Sequence, residues 1–344
     1  MPRARNHASR VRSSSRSLGL VFAIVFAVGG AAGVIRAAND RTSAVERIDD
    51  LDDILVAVDG PAVNYLLIGS DSREGSDPSS SDFDGIGDTS DVSGRRSDTI
   101  MILRQERDGE GAALVSLPRD LWVEIAGTGR SSRINSAYND GADVLAATIT
   151  QELGVPINHV VDIDFFGFKE LVDAVGGTKI CFDYVTRDLN SGLDQQPGCN
   201  RLDGEQALAY ARSRHYEEFR DGAWHEDPRA DLGRIERQQQ FISTTAERTI
   251  QRLQANPFLA SELIDAASAT VRLDENLDPL EAAGTLRKAF STGFSTFQLP
   301  VVGETIDGNA VLRLDDGADE ILDYFRGEAP LPPTTTVKAK AKGR

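Results

Sequence analysis

Apolar residues along the chain form short continuous runs that alternate with stretches of helical spacing. Runs of four to eight apolar residues are typical of buried strands, and recurrence every three to four positions is typical of helices. The predicted strands are 64–69, 98–103, 113–117, 159–165, 178–182 and 296–300. The predicted helices are 141–153, 167–175, 203–213, 231–255, 259–270 and 278–291. This alternation predicts an α/β sheet covered by helices on both faces.

Four polar stretches separate or flank these elements. Residues 37–58 are acidic with helical spacing, which predicts a stalk before the domain. Residues 74–95 consist almost entirely of Gly, Ser, Asp and Pro, and residues 215–230 are largely charged and aromatic, so both are expected to be flexible loops. The last residues, 329–344, predict a disordered tail.

The N-terminus carries an uncharged apolar run, Leu18 to Ile35, preceded by five arginines. Its length suits a membrane span, and the positive-inside rule keeps the arginines in the cytoplasm. The predicted organisation is a cytoplasmic tail (1–17), a transmembrane anchor (18–35), a stalk (36–60), an extracellular domain (61–328) and the tail. A cleaved signal peptide is the alternative.

Charge narrows the possible partners. The chain has a net charge of −17, and residues 37–328 carry 27 bases against 54 acids. The negative charge of residues 37–328 repels nucleic acid, so no nucleic-acid partner is expected. Arginines clustered inside it therefore need an anionic ligand.

The chain has two cysteines, Cys181 and Cys199, both in the predicted exported part. Outside the cytoplasm such a pair tends to oxidise, which predicts a disulfide; two separate buried thiols are the alternative. Neither cysteine is placed for a catalytic role.

Two aspartates lie at strand ends: Asp71 follows the first predicted strand and Asp98 opens the second. If these strands are antiparallel neighbours, both carboxylates meet at one end of the sheet. Two carboxylates with substrate phosphates are sufficient to bind Mg²⁺. On spacing alone, a turn at Asp71 and a solvated Asp98 explain the same residues.

Arginines complete a candidate site for a metal-bound diphosphate. Arg119 follows the third strand, Arg212 and Arg214 share a face if the chain leaves its helix extended, and Arg234 and Gln238 share a helical face. Guanidinium groups bind phosphate oxygens bidentately. Surface ion pairing is the alternative, since residues 207–238 also hold seven acids.

Seven stretches together resemble the LytR-CpsA-Psr family of cell-envelope enzymes, over about residues 63–245. They are LIGSDSR (67–73), RSDT (96–99), SLPRD (116–120), RINSAY (133–138), LDGEQAL (202–208), YARSR (210–214) and DLGRIERQQ (231–239). The resemblance implies an α-β-α layered fold with a central mixed sheet and an apolar pocket for a lipid tail.

The resemblance also implies a membrane-anchored phosphotransferase, which moves a glycopolymer from its polyprenyl-diphosphate carrier to peptidoglycan. The family's metal-binding aspartates fall on Asp71 and Asp98, with Mg²⁺ or Mn²⁺ as the metal. The family's diphosphate-binding residues fall on Arg119, Arg212, Arg214, Arg234 and Gln238. Two more arginines, Arg73 and Arg96, match motif positions of the family.

The implied chemistry assigns Asp98, Asp71 and Arg119 to catalysis, with Asp98 preferred over Asp71 as the proton acceptor. Two other functions stay open. The same site can admit water and act as a pyrophosphatase on lipid or nucleotide diphosphates, or the protein can be a non-catalytic wall-binding or regulatory protein.

Overall fold

The computed structural model describes residues 45–70, 97–107, 111–229, 231–256, 266, 271–278 and 294–333. In these ranges the helices are α1 (Ala142–Leu153), α2 (Phe165–Ala174), α3 (Gly204–Arg212), α4 (Asp231–Ala255) and α5 (Ala318–Arg326), with a 3-10 helix at Ile134–Asn139. The strands are β1 (Glu46–Ile48), β2 (Ala62–Ser70), β3 (Ser97–Glu106), β4 (Ala112–Leu117), β5 (Trp122–Ile125), β6 (Arg130–Arg133), β7 (His159–Ile163), β8 (Thr178–Phe182), β9 (Val185–Asp188), β10 (Leu193–Gln195), β11 (Gly198–Leu202), β12 (Glu217–Arg220), β13 (Ala223–Glu226), β14 (Val271–Asp274), β15 (Phe294–Gln298), β16 (Val301–Ile306) and β17 (Asn309–Leu314).

A seven-stranded mixed sheet organises the molecule, in the order β1-β14-β7-β2-β3-β4-β15. The neighbours β2 and β7, β4 and β15, and β1 and β14 run parallel, whereas β3 runs antiparallel to both β2 and β4. Side chains alternate across each strand, so β2 sends Leu67 to one face and Leu66 to the other.

Each face of the sheet packs on its own apolar core. One core joins the sheet to α2, α3 and α4 through residues such as Leu171, Ala207 and Phe241. The other joins it to α1 and α5 through residues such as Ile149 and Phe325. The predicted α/β class and central mixed sheet are confirmed.

Most predicted elements are present with small shifts at their ends. The predicted strands that begin at 64, 98, 113 and 159 correspond to β2, β3, β4 and β7, and the predicted helices that begin at 141, 167, 203 and 231 correspond to α1 to α4. The strand at 178–182 is β8, which pairs with β11 outside the main sheet. The strand at 296–300 is β15, shifted by two residues.

One sequence pattern and one prediction differ from the structure. The helical spacing in 37–58 is not accompanied by a helix over its described part, where residues 46–48 form β1 on the sheet and Leu51 is buried in the core. Residues 215–230 are not simply a loop, because they contain the paired strands β12 and β13. The hairpins β5–β6 and β16–β17 and helix α5 were not predicted.

The predicted disulfide is confirmed: Cys181 and Cys199 are bonded and lie opposite each other in the β8–β11 ladder. The segments 1–17, 18–35 and 74–95 lie outside the described residues, as does most of the predicted helices 259–270 and 278–291 and of the tail. In the described part of the chain, no helix is both long and apolar enough to span a bilayer.

Candidate active site

The candidate site lies at one edge of the central sheet, where β2 and β4 end and β3 begins. Ser70 is opposite Ser97, and Ile100 is opposite Leu117, so the first two predicted strands are antiparallel neighbours, which was the condition for bringing the two aspartates together. The pairing steps from Ser97 to Thr99, which leaves Asp98 as the extra residue of a β-bulge. Bulges change the direction of a side chain and are common beside active sites.

The structure describes some of the residues predicted for this edge and not others. Asp98 lies in β3, but only its backbone is described. Asp71, Arg73 and Arg96 lie outside the described residues. Arg119 follows β4 at the same edge, two residues beyond Leu117.

Arg119 is fixed by a second motif. Its Nε lies 3.5 Å from an Asp120 carboxylate oxygen, and the other oxygen lies 3.3 Å from Nε of Arg133. The backbone N–H of Asn135 donates to the carbonyl oxygen of Arg119 at 3.2 Å. The stretches 116–120 and 133–138 therefore form one unit at the sheet edge.

Gln238 connects three elements at this site. Its side-chain amide donates to Oγ1 of Thr99 at 3.0 Å and to the carbonyl oxygen of Ala211 at 3.1 Å. Thr99 follows Asp98 in β3, and Ala211 precedes Arg212 at the end of α3. One side chain of α4 thus brings the bulge together with the first arginine of residues 212–214, named here the Arg-Ser-Arg turn.

Two arginines of α4 face inward. Arg234 is 2% exposed and Arg237 is 6% exposed, so neither lies at the surface. Arg237 donates to the carbonyl oxygen of Ser213 at 2.6 Å and to an Asp227 carboxylate oxygen at 3.1 Å. Its guanidinium lies 4.6 Å from the ring centre of Tyr216.

Gly233 allows this close approach. A Cβ at this position would lie 2.4 Å from an Asp227 carboxylate oxygen and 3.1 Å from the Arg237 guanidinium. Burial acts to raise the pKa of Asp227, but the hydrogen bonds and charge of Arg229, with a further hydrogen bond from Arg237, bring it below its usual value.

Asp188, at the end of β9, holds the Arg-Ser-Arg turn. One carboxylate oxygen accepts from the Ser213 hydroxyl at 2.7 Å and from the backbone N–H groups of Arg214 and His215 at 2.9 Å. The other accepts from two N–H groups of its own turn. Burial acts to raise the pKa of Asp188, but hydrogen bonds led by that of Ser213 hold it below its usual value.

The turn meets the condition under which Arg212 and Arg214 share a face. Arg212 is the last residue of α3, and Ser213 caps the helix with φ −58° and ψ 124°, an extended exit. Sequence reasoning missed Asp188 because no pattern links it to residues 25 positions away.

A buried polar cluster at the same edge was also missed. The Asp162 carboxylate in β7 accepts from the Tyr138 hydroxyl and from the Arg272 guanidinium of β14, which also donates to the Tyr138 oxygen at 2.8 Å. Burial raises the pKa of Asp162 against the opposing effects of Arg272 and Tyr138, which lower it. It also raises the pKa of Tyr138, with Asp162 acting in the same direction. A lone aspartate inside an apolar strand was the available signal.

The predicted metal ligands belong to this edge by sequence. Asp98 lies between Ser97 and Thr99 in β3, and Asp71 follows Ser70 in sequence but lies outside the described residues. Two hard oxygen donors brought together there would suit Mg²⁺ or Mn²⁺. Among the described side chains, which exclude both aspartates, no cluster of three metal-binding residues occurs.

Residues 31–323 match the LytR_cpsA_psr family, and the chain belongs to that family. The probable cell wall biosynthesis protein LcpB of Corynebacterium glutamicum is 32% identical over 267 residues, which cover 76% of this chain and 61% of LcpB. The polyisoprenyl-teichoic acid–peptidoglycan teichoic acid transferase TagU of Enterococcus faecalis is 34% identical over 232 residues, covering 67% of this chain and 72% of TagU.

Solved structures share the fold. A LytR-Csp2A-Psr enzyme from Actinomyces oris superimposes with a TM-score of 0.63 at 23% identity, covering 82% of this chain and 95% of that one. TagT bound to LI-WTA gives a TM-score of 0.55 at 21% identity, covering 78% and 90%.

Proposed function

We propose that the protein is a phosphotransferase that moves a glycopolymer from a polyprenyl-diphosphate carrier to peptidoglycan. The observation that carries the proposal is the Gln238 contact pair, which joins α4, the end of α3 and the start of β3 beside buried arginines. An acidic protein that buries arginines at a sheet edge is suited to an anionic ligand. The name of the Enterococcus faecalis relative describes a transfer of this class.

The proposed reaction is a single displacement at phosphorus. A peptidoglycan hydroxyl attacks the phosphorus next to the sugar, a new P–O bond forms, and the bond to the bridging oxygen breaks. Polyprenyl phosphate leaves with the electron pair, and the hydroxyl proton passes to a carboxylate. Asp98 is the proposed acceptor, with Asp71 as the second choice.

Charge stabilisation is the main task of the site, since phosphoryl transfer depends mostly on positioning and electrostatics. Arg119, Arg212, Arg214 and Arg234 are proposed to hold the diphosphate oxygens, with Gln238 positioning the Arg-Ser-Arg turn. Asp71 and Asp98 would hold Mg²⁺ or Mn²⁺, which supplies positive charge against the phosphates when bound.

The proposed location follows from the substrate. A polyprenyl carrier stays in the membrane, so the apolar segment 18–35 is proposed as an anchor with the domain outside the cell. Arg73 and Arg96 are proposed as further diphosphate contacts on the basis of their motif positions.

The test uses full-length protein in detergent with a synthetic polyprenyl-diphosphate glycan, peptidoglycan oligomers and either Mg²⁺ or EDTA. We expect a polymer-linked peptidoglycan product that requires the metal and is lost in R214A. The control is R313A, because Arg313 lies in β17 and pairs with exposed Glu304. Release of polyprenyl phosphate without a linked product would instead establish a hydrolase, and binding without turnover a wall-binding protein.

A further inference from the structure

The segment that follows Arg214 forms an ordered hairpin. Strands β12 and β13 pair with each other, and β12 pairs with β9, which gives a four-stranded sheet in the order β10-β9-β12-β13. Strand β12 of this small sheet begins three residues after Arg214. It is therefore continuous with the proposed diphosphate site.

The base of the hairpin is tied to the arginine face of α4. The N–H of Asp227 donates to the carbonyl oxygen of Tyr216 at 2.7 Å, and Arg237 contacts both residues. The hairpin therefore has a fixed orientation relative to the site. From Arg214 to Phe219 the chain can span at most about 16 Å, at ~3.3 Å per residue.

One face of the small sheet presents an aromatic row, defined here as Phe219 and Trp224, with Val185 of β9 beside Phe219. These residues are in register across β9, β12 and β13. The rings of Phe219 and Trp224 are 5.3 Å apart and tilted by 62°. Because side chains alternate, the opposite face carries Thr186, which is buried.

The row is held in place but remains open to solvent. The Arg187 guanidinium lies 3.9 Å from the Trp224 ring centre and is itself fixed by Glu217 at 2.7 Å. Phe219 is 42% exposed. In the described part of the chain, the large exposed apolar side chains include two aromatic ones, Phe219 and Tyr184, and both lie at this sheet.

The charge of the hairpin selects among possible ligands. Residues 215–229 carry five acids against two arginines, a net charge of −3 with neutral histidines. This repels an anionic polymer. Aromatic rings with a negative π face suit the C–H face of a sugar ring, and adjacent carboxylates accept hydrogen bonds from sugar hydroxyls.

We infer that the aromatic row binds the sugar strand of the peptidoglycan acceptor and aligns its hydroxyl with the diphosphate held by the arginines. The inference rests on the proposed function, and it assigns residues 216–227 to acceptor recognition rather than to donor binding.

Tryptophan fluorescence gives a direct test, since the chain has two tryptophans, Trp122 and Trp224. Full-length W122F retains Trp224 as its reporter and is titrated with N-acetylglucosamine–N-acetylmuramic acid oligosaccharides. We expect a saturable spectral change, at least tenfold weaker binding in W122F/F219L, and unchanged binding in W122F/F219Y. The control W122F/V302A alters an exposed residue of the hairpin β16–β17, which forms a separate sheet, and should bind like W122F. No saturable change, or equal binding by F219L, would overturn the inference.

Kinetics separate this inference from the proposed function. F219L should raise the KM for the acceptor at least tenfold while leaving the KM for the lipid-linked donor unchanged. A raised donor KM in F219L would show that the row binds the donor polymer and would overturn acceptor recognition. If wild-type protein processes no lipid diphosphate, the proposed function fails, and the Trp224 titration still decides whether the row binds this glycan.

Discussion

Replacing Arg272 with methionine tests the energetics of the buried cluster behind the candidate site. The Asp162 side chain has no exposed surface, whereas that of Arg272 is 25% exposed. Methionine keeps most of the aliphatic volume and removes the positive charge. The Asp162 carboxylate would then keep only the Tyr138 hydroxyl from this cluster as a donor.

Removal of one partner from a buried ion pair costs about 3–5 kcal/mol, and the partial exposure of Arg272 favours the lower end, about 3 kcal/mol at pH 7.5. The cost depends on pH. Burial already raises the pKa of Asp162, and loss of Arg272 raises it further. When folding raises the pKa of a carboxyl group, the free energy of unfolding falls as the pH rises toward the raised pKa. The penalty of R272M should therefore grow with pH, by up to about 1.4 kcal/mol per unit.

Urea unfolding of full-length R272M and wild type, followed by circular dichroism from pH 5 to pH 8, measures this penalty. The control is R313M, since Arg313 and Glu304 are both 48% exposed and their pair contributes no more than about 1 kcal/mol. A penalty that equals the control, or that does not change with pH, would refute the account of Asp162 as a buried carboxylate stabilised by Arg272.

Three further predictions concern contacts around the site. D188N should lose about 1.5–3 kcal/mol of stability near neutral pH. Because folding lowers the pKa of Asp188, the stability difference between D188N and wild type should shrink below about pH 4 in acid unfolding curves. The control D194N changes an exposed aspartate and should match wild type. Removal of the disulfide in C181S/C199S should cost about 3 kcal/mol of stability, because the bond joins cysteines 18 residues apart and so restricts the entropy of the unfolded chain by about this amount. An unchanged melting temperature would contradict this. Q238L loses two hydrogen bonds, which should cost about 1–3 kcal/mol and weaken diphosphate binding in calorimetry; equal binding would show that the Gln238 contacts do not position the site.

Local signals explain why much of the fold was predictable. Helix α3 begins with a capping box between Asp203 and Gln206, and α1 ends at Gly154 with φ 68°. Asp164 caps α2 by accepting from the N–H of Gly167. These signals act within four residues, so a sequence pattern contains them.

The missed features depend on residues that are distant in sequence. The cluster at Asp162 needs Arg272, which is 110 residues away, and no periodicity links the two. The sequence predicts a loop at β12–β13 because charged residues interrupt its apolar positions. Strand β9, which pairs with β12, lies about 30 residues earlier. The bulge at Asp98 arises from the register of β2 on β3, which neither strand specifies alone.

The direction of β1 sets how far the site can lie from a bilayer. Strand β1 runs parallel to β14, and β14 runs antiparallel to β7. Glu46 of β1 is paired with Arg272 of β14, and Arg272 is in turn paired with Asp162 of β7. The chain therefore enters the domain at the same sheet edge that carries the candidate site. If the proposed span ends at Ile35, ten residue steps reach Val45, about 35 Å at full extension. Such a tether limits the height of that edge above the lipid, so a carrier can keep its polyprenyl tail in the bilayer while its diphosphate is bound.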